Sequence, residues 1–181
     1  MKRLALIAAA LLAFAAPAFA TSVSDRDDVS VGMDVSKASG AHNRASDQLV
    51  HTIDFYDALP DKLTTPGSVC IEIWTRSTPG ESAADYEACA TRDKNDKWRA
   101  SIARKREVGQ RLRVGAVKVE QPSDTRLVLR IDPDDIKRPA SYRWRTEATS
   151  FNKDCKSASG CPDYAPDRPG TAVTKLSKPR S

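Results

Sequence analysis

Between Ser68 and Thr91 two apolar runs flank the turn-forming stretch Arg76-Ser77-Thr78-Pro79-Gly80-Glu81-Ser82. This pattern constrains the fold more than any other in the chain. If Pro79-Gly80 marks the centre of a hairpin, one antiparallel register places Val69 opposite Ala90, Ile71 opposite Ala88 and Ile73 opposite Tyr86. The same register sets Cys70 opposite Cys89 on the other face. Facing residues in an antiparallel pair sit about 4.5 to 5.5 Å apart, within reach of a disulfide. The hairpin therefore predicts Cys70–Cys89. Cys155 and Cys161 are left to close a small loop through Lys156-Ser157-Ala158-Ser159-Gly160.

The disulfide reading depends on compartment, and the N-terminus supplies one. Lys2 and Arg3 form a basic start, Leu4 to Ala16 an apolar stretch, and Ala18-Phe19-Ala20 a small-x-small cleavage pattern. We read residues 1–20 as a signal peptide and expect an exported, soluble product, secreted or periplasmic. Thr21 rather than a cysteine follows the cleavage point. The apolar stretch is too short for a mature membrane span. Four cysteines in an oxidising compartment favour two bridges. No CxxC pair exists and neither His42 nor His51 neighbours a cysteine, which argues against a zinc site.

Loss of Lys2 and Arg3 with the leader lowers the formal net charge from +5 to about +3. Both signs are interspersed between residues 85 and 147, unlike the clustered excess of a nucleic-acid binder. No nucleic-acid partner is expected, and no membrane partner once the leader is removed.

From Asp34 onward the chain is a succession of short alternating runs broken by Gly, Pro, Asn, Asp and Ser, the pattern of an all-β domain. Leu49, His51, Ile53 and Phe55 share one face of a strand. Leu127, Leu129 and Ile131 share another, opposite Arg126 and Arg130. Tyr142, Trp144, Thr146 and Ala148 oppose Arg143, Arg145 and Glu147. Lys97 to Arg106 is ambiguous: Trp98 and Ile102 are four apart, and the basic end would also suit a short helix. Residues 21–33 read as a loose, polar lead-in, 34–169 as one domain, and 170–181 as a disordered basic tail. The expected fold is an antiparallel β-sandwich, jelly-roll-like, of about eight strands with two disulfides.

The order of features resembles that of secreted bacterial jelly-roll β-sandwich domains, the carbohydrate-binding and DOMON-like modules. The features are Asp34-Val35-Ser36 on a first strand and Phe55-Tyr56-Asp57 closing another. They continue with Tyr142-Arg143-Trp144-Arg145 late in the domain and Pro162-Asp163-Tyr164-Ala165-Pro166-Asp167 after it. The resemblance implies a β-sandwich and a binding role. No ligand residues carry over, and His42, His51 and Met33 do not match the axial ligands of the haem-binding members.

Candidate chemistry starts with Glu72 and Glu87, which the hairpin register makes direct neighbours on the outer face beside Trp74. Two carboxylates 5 to 5.5 Å apart are the equipment of a retaining glycosidase, and like charges directly opposite are otherwise unfavourable. The plainer reading is a solvated pair, or one neutralised by a nearby cation. His51 lies on an apolar face and reads as a hydrogen-bonded core residue, whereas His42 reads as exposed in a turn. Neither has a nucleophile in a recognisable setting. Acidic clusters occur at Asp25, Asp27 and Asp28, at Asp93 and Asp96, and at Asp132, Asp134 and Asp135. No cofactor is expected, with calcium the one that such clusters admit, though none has EF-hand spacing. The last group also reads as a turn or helix cap. Arg126, Arg130, Arg143 and Arg145 would form a basic stripe, suited to carboxylates, phosphates or anionic glycans, if their two strands were neighbours.

The leading expectation is an exported, non-enzymatic module that binds a polysaccharide, with Trp74, Glu72, Glu87, Arg143 and Arg145 as contact candidates. The alternative is a domain that binds a secreted or surface protein, or inhibits one, through the 155–161 loop. Third is a glycan-cleaving enzyme using Glu72 and Glu87.

Overall fold

The computed structural model describes residues 20–29, 33–59, 67–76, 83–92, 95, 97–105, 110–150, 155 and 160–177. Residues 1–19, 77–82 and 156–159, where the leader, the hairpin turn and the small disulfide loop were expected, lie outside them.

The described residues form twelve strands and a single-turn 3-10 helix: β1 (Thr21–Ser24), β2 (Val35–Asn43), β3 (Gln48–Phe55), β4 (Ser68–Trp74), β5 (Tyr86–Arg92), β6 (Trp98–Lys105), β7 (Arg111–Ala116), β8 (Lys118–Ser123), β9 (Arg126–Ile131), the helix (Pro133–Ile136), β10 (Ser141–Ser150), β11 (Cys161–Ala165) and β12 (Ala172–Lys175). They pair into a five-stranded sheet, β1-β2-β3-β9-β8, and a seven-stranded one, β11-β10-β4-β5-β6-β7, with β12 also on β10. Every pairing is antiparallel. The chain is an all-β sandwich.

Alternation decides which faces meet. Leu49, Ile53, Leu127, Leu129 and Ile131 from one sheet and Ile71, Ile73, Ala88, Ile102, Trp144 and Ala148 from the other are nearly or fully inaccessible and share one core. His51 lies among them, as its position on an apolar face implied. Its Nε2 shares a 2.9 Å hydrogen bond with the Tyr142 hydroxyl across the two sheets, and Trp144 meets its ring edge-on at 5.1 Å. Full burial pushes its pKa down to about 3, so it is neutral.

The 68–91 hairpin has the register read from the sequence, with Cys70 opposite Cys89, Ile71 opposite Ala88 and Glu72 opposite Glu87. Both bridges, Cys70–Cys89 and Cys155–Cys161, are formed. The ambiguous stretch is strand β6, because it is hydrogen-bonded to β5 on one side and β7 on the other. Asp132 does cap the 3-10 helix, its Oδ1 accepting from the Asp134 N–H at 2.9 Å.

Four expectations are corrected. The lead-in is partly ordered: β1 pairs with β2, Thr21 opposite Gly40, and Val23 packs on the core. The tail is not disordered from residue 170, because β12 pairs with β10 from Ser141 to Trp144. Its inward residue Thr174 accepts from Trp144 Nε1 at 2.9 Å and donates to the Gly40 carbonyl at 3.2 Å. His42 is buried rather than exposed: it points inward in step with Ala38 and Gly40, and the returning tail covers it. Its Nδ1 accepts from the Ser177 N–H at 3.0 Å and its Nε2 donates to Asp47 at 2.9 Å. Finally, the four arginines do not make one stripe, since β9 and β10 belong to different sheets. Arg126 pairs with Asp54, and Arg130 with Glu120.

Candidate functional site

The seven-stranded sheet would ordinarily turn a solvated face outward. Here the outer residues of β4, β5 and β10 are covered instead: Glu72, Glu87, Trp74 and Arg145 are all under 9% exposed. Their partners come from the sheet register. Arg145 on β10 stands opposite Glu72 on β4, which stands opposite Glu87 on β5. One step along, Arg143 stands opposite Trp74.

A chain of alternating charges runs across this face. Arg145 donates through Nε and Nη2 to Glu72 Oε2, the former at 3.0 Å. Lys105 Nζ lies 3.4 Å from Glu72 and 2.9 Å from Glu87. Arg111 closes the chain at 2.8 Å from Glu87. The two facing carboxylates of the hairpin thus have their reason: Lys105 bridges them and an arginine holds each end. Burial would make either carboxylate costly alone, and the three cations offset that cost.

A second chain crosses the first at Arg145. The Arg168 guanidinium lies 4.1 Å from the centre of the Tyr164 ring. Arg145 sits 5.2 Å from Tyr164 and 5.4 Å from Trp74. Arg143 covers Trp74 at 5.9 Å. Cations and aromatic faces alternate along it, each contact of the cation–π type. Neither Tyr164 nor Arg168 was nominated as a site residue from the sequence, because the pairing of β11 with β10 brings Tyr164 here and the turn after β11 brings Arg168, and nothing local signals either.

Above the crossing lies a cleft of about 440 Å³ lined by Glu72, Trp74, Ala84, Lys105, Arg143, Arg145, Arg168 and Thr171, with Ala83 and Pro169 at its sides. Four cations line it against one carboxylate. Arg168 is more than half exposed and its contact with Glu147 is long, at 3.9 Å. Of the sequence candidates, Trp74, Glu72, Arg143 and Arg145 line this cleft. Glu87 lies beside it, behind Lys105. Trp74 forms a wall under the arginines rather than an open platform. The 155–161 loop lies mostly outside the described residues, as do Asp93 and Asp96.

A second cluster stands apart from the cleft. Asp28, Asp34 and Asp163 bring one carboxylate oxygen each to within 4.8 Å of one another. Burial, reinforced by neighbouring carboxylates, raises Asp25 and Asp163 to about 6 and Asp34 upward in the same direction.

No protein-family model, curated protein or solved structure matches the chain, so its site is read from its own residues. The two disulfides fit an extracellular or otherwise oxidising compartment. No helix among the described residues is long and apolar enough to cross a membrane.

Proposed function

We propose that the protein is an exported, non-enzymatic binding module for an acidic polysaccharide, whose carboxylate groups enter the cleft over β4 and β10. The observation that carries this reading is the four-to-one excess of cations lining that cleft, with Arg168 directed into it from the β11–β12 turn. Guanidinium groups match carboxylates through paired, charge-assisted hydrogen bonds. The aromatic faces of Trp74 and Tyr164 are occupied by arginines, so recognition runs through charge rather than through sugar stacking. Binding is favoured over cleavage because Glu72 and Glu87 each hold two cations. A retaining glycosidase needs one of its pair protonated to act as an acid. The leader at residues 1–20 supports export, to the periplasm or beyond it.

A glycan array of the oxidised mature protein, run with calcium and with a chelator, tests the reading. Polyuronates should be retained and neutral glucans should not, and added salt should weaken retention as it screens exposed charge. Retention of neutral glycans alone would refute it. Silence across the array, with a protein captured through the 155–161 loop, would replace it with the protein-binding alternative.

A further inference from the structure

The segment after β1, the entry to β2 and the middle of β11 meet at Asp28, Asp34 and Asp163. From this convergence we propose a calcium site, formed by these three carboxylates with Asp25 beside them, that clips the N-terminal segment to the edge of the seven-stranded sheet. The proposal is independent of the cleft and of what the cleft binds.

Asp34 and Asp163 are each 3% exposed. Buried carboxylates are normally held by donors or cations. Asp163 has its donors: Val35 N–H gives to Oδ2 at 2.6 Å and Tyr164 N–H to Oδ1 at 2.8 Å. Asp34 is only half provided for. Val29 N–H reaches its Oδ2 at 3.4 Å, while its Oδ1 is buried with no hydrogen-bond partner among the described residues. Asp25 Oδ2 is buried in the same condition. The charged groups that act most strongly on Asp25, Asp34 and Asp163 are other aspartates, Asp27, Asp28 and Asp167 among them. A concentration of negative charge with orphaned buried oxygens is what a hard cation completes.

The donor set selects the ion. Calcium is taken by all-oxygen protein cages of several carboxylates, whereas magnesium keeps most of its water and is held by one or two carboxylates. Three carboxylates with oxygens within 4.8 Å of one another form the start of such a cage. Water fills the remaining positions. The proposed role is structural, since Asp163 already holds the Val35 N–H and β11 leads straight into the turn that carries Arg168.

Calorimetric titration of the chelator-treated, oxidised mature protein at pH 7.5 with calcium, then with magnesium, tests this, together with the melting temperature in each ion and in EDTA. We expect one calcium per chain, a higher melting temperature than in EDTA, and magnesium at least tenfold weaker. D28A, at an exposed position, should weaken calcium binding at least tenfold while leaving the melting temperature in EDTA unchanged. D34N should abolish the calcium-dependent rise yet melt in EDTA no lower than the native protein, because it removes a buried like charge. No calcium heat, an equal response to magnesium, or native-like calcium binding by D28A would each overturn the proposal.

Discussion

Replacing Lys105 with methionine probes the covered face of the seven-stranded sheet most directly. Methionine keeps most of the apolar stem and removes the charge that lies 2.9 Å from Glu87 and 3.4 Å from Glu72. The two glutamates are direct cross-strand neighbours, so their side chains start from Cβ atoms about 5 Å apart. Two unit charges at that distance repel by about 3 kcal/mol at an effective dielectric of 20. Their side chains are only 8% and 7% exposed, so solvent relieves little of this, although Arg145 and Arg111 remain at the ends. Breaking a buried pair by removing one partner costs about 3 to 5 kcal/mol. With each carboxylate keeping an arginine, we expect K105M to lose about 3 kcal/mol at pH 7.5, a fall in melting temperature on the order of 10 °C for a domain of this size. Urea denaturation at pH 7.5 of the native protein, K105M, E87Q and K105M/E87Q is the assay. In the E87Q background the facing repulsion is gone, so the loss on adding K105M should shrink below about 1 kcal/mol. An equal loss in both backgrounds would show that Lys105 matters for packing alone. No loss at pH 7.5 would show that the facing carboxylates are relieved in some other way.

Other consequences follow from the same geometry. The Cys70–Cys89 bridge closes a loop of sequence separation 19, against 6 for Cys155–Cys161. In the chain-entropy model, C70A/C89A should therefore cost about 3 kcal/mol and C155A/C161A about 2, measured by denaturant unfolding. His51 is held neutral with a pKa of about 3, whereas the unfolded chain takes up its proton near pH 6.5. Its contribution is thus complete above pH 6.5 and falls by up to about 1.4 kcal/mol per pH unit as the medium is acidified towards pH 3. The stability of H51Q should lack that part of the acid slope; matching slopes in the two proteins would refute the assignment. Gly40 lets β2 approach the opposite sheet, and an added Cβ would meet Thr174 Oγ1 and Trp144 Nε1 at 2.8 Å. G40A should cost about 1 to 3 kcal/mol by thermal melting, as overpacked cores do; an unchanged melting temperature would mean that β12 is not seated on β2.

The hairpin, its register and its disulfide could be read from residues 68–91 because apolar alternation and cysteine placement point to one pairing. The cores of β3, β9 and β10 were legible for the same reason. What escaped was whatever is specified by distant partners. β12 turns only Ala172 and Thr174 inward, so its sequence carries no apolar stripe, and its order depends on Trp144 and Gly40. β1 offers one apolar residue, Val23. His42 looked solvent-facing because the residues that cover it lie 135 positions away. The cleft was half legible: Glu72, Trp74, Arg143 and Arg145 were nominated as polar-face residues of their strands. Tyr164 and Arg168 were not, since Tyr164 arrives through the pairing of β11 with β10 and Arg168 through the turn after β11, and neither carries a local signal. The acidic site was missed in the same way, with Asp25, Asp27 and Asp28 visible as a cluster but Asp34 and Asp163 joined to it only by the fold.

The proposed recognition of anions by the cleft over β4 and β10 is tested by the affinity of the oxidised protein without residues 1–20 for a defined oligouronate, compared between native and R168E by calorimetry at low salt. Arg168 lies at the surface, so its reversal leaves the fold intact. Binding should be measurable, fall at least tenfold in R168E and weaken with added salt. Equal affinity in the two proteins, or binding to a neutral oligosaccharide of the same length instead, would contradict it.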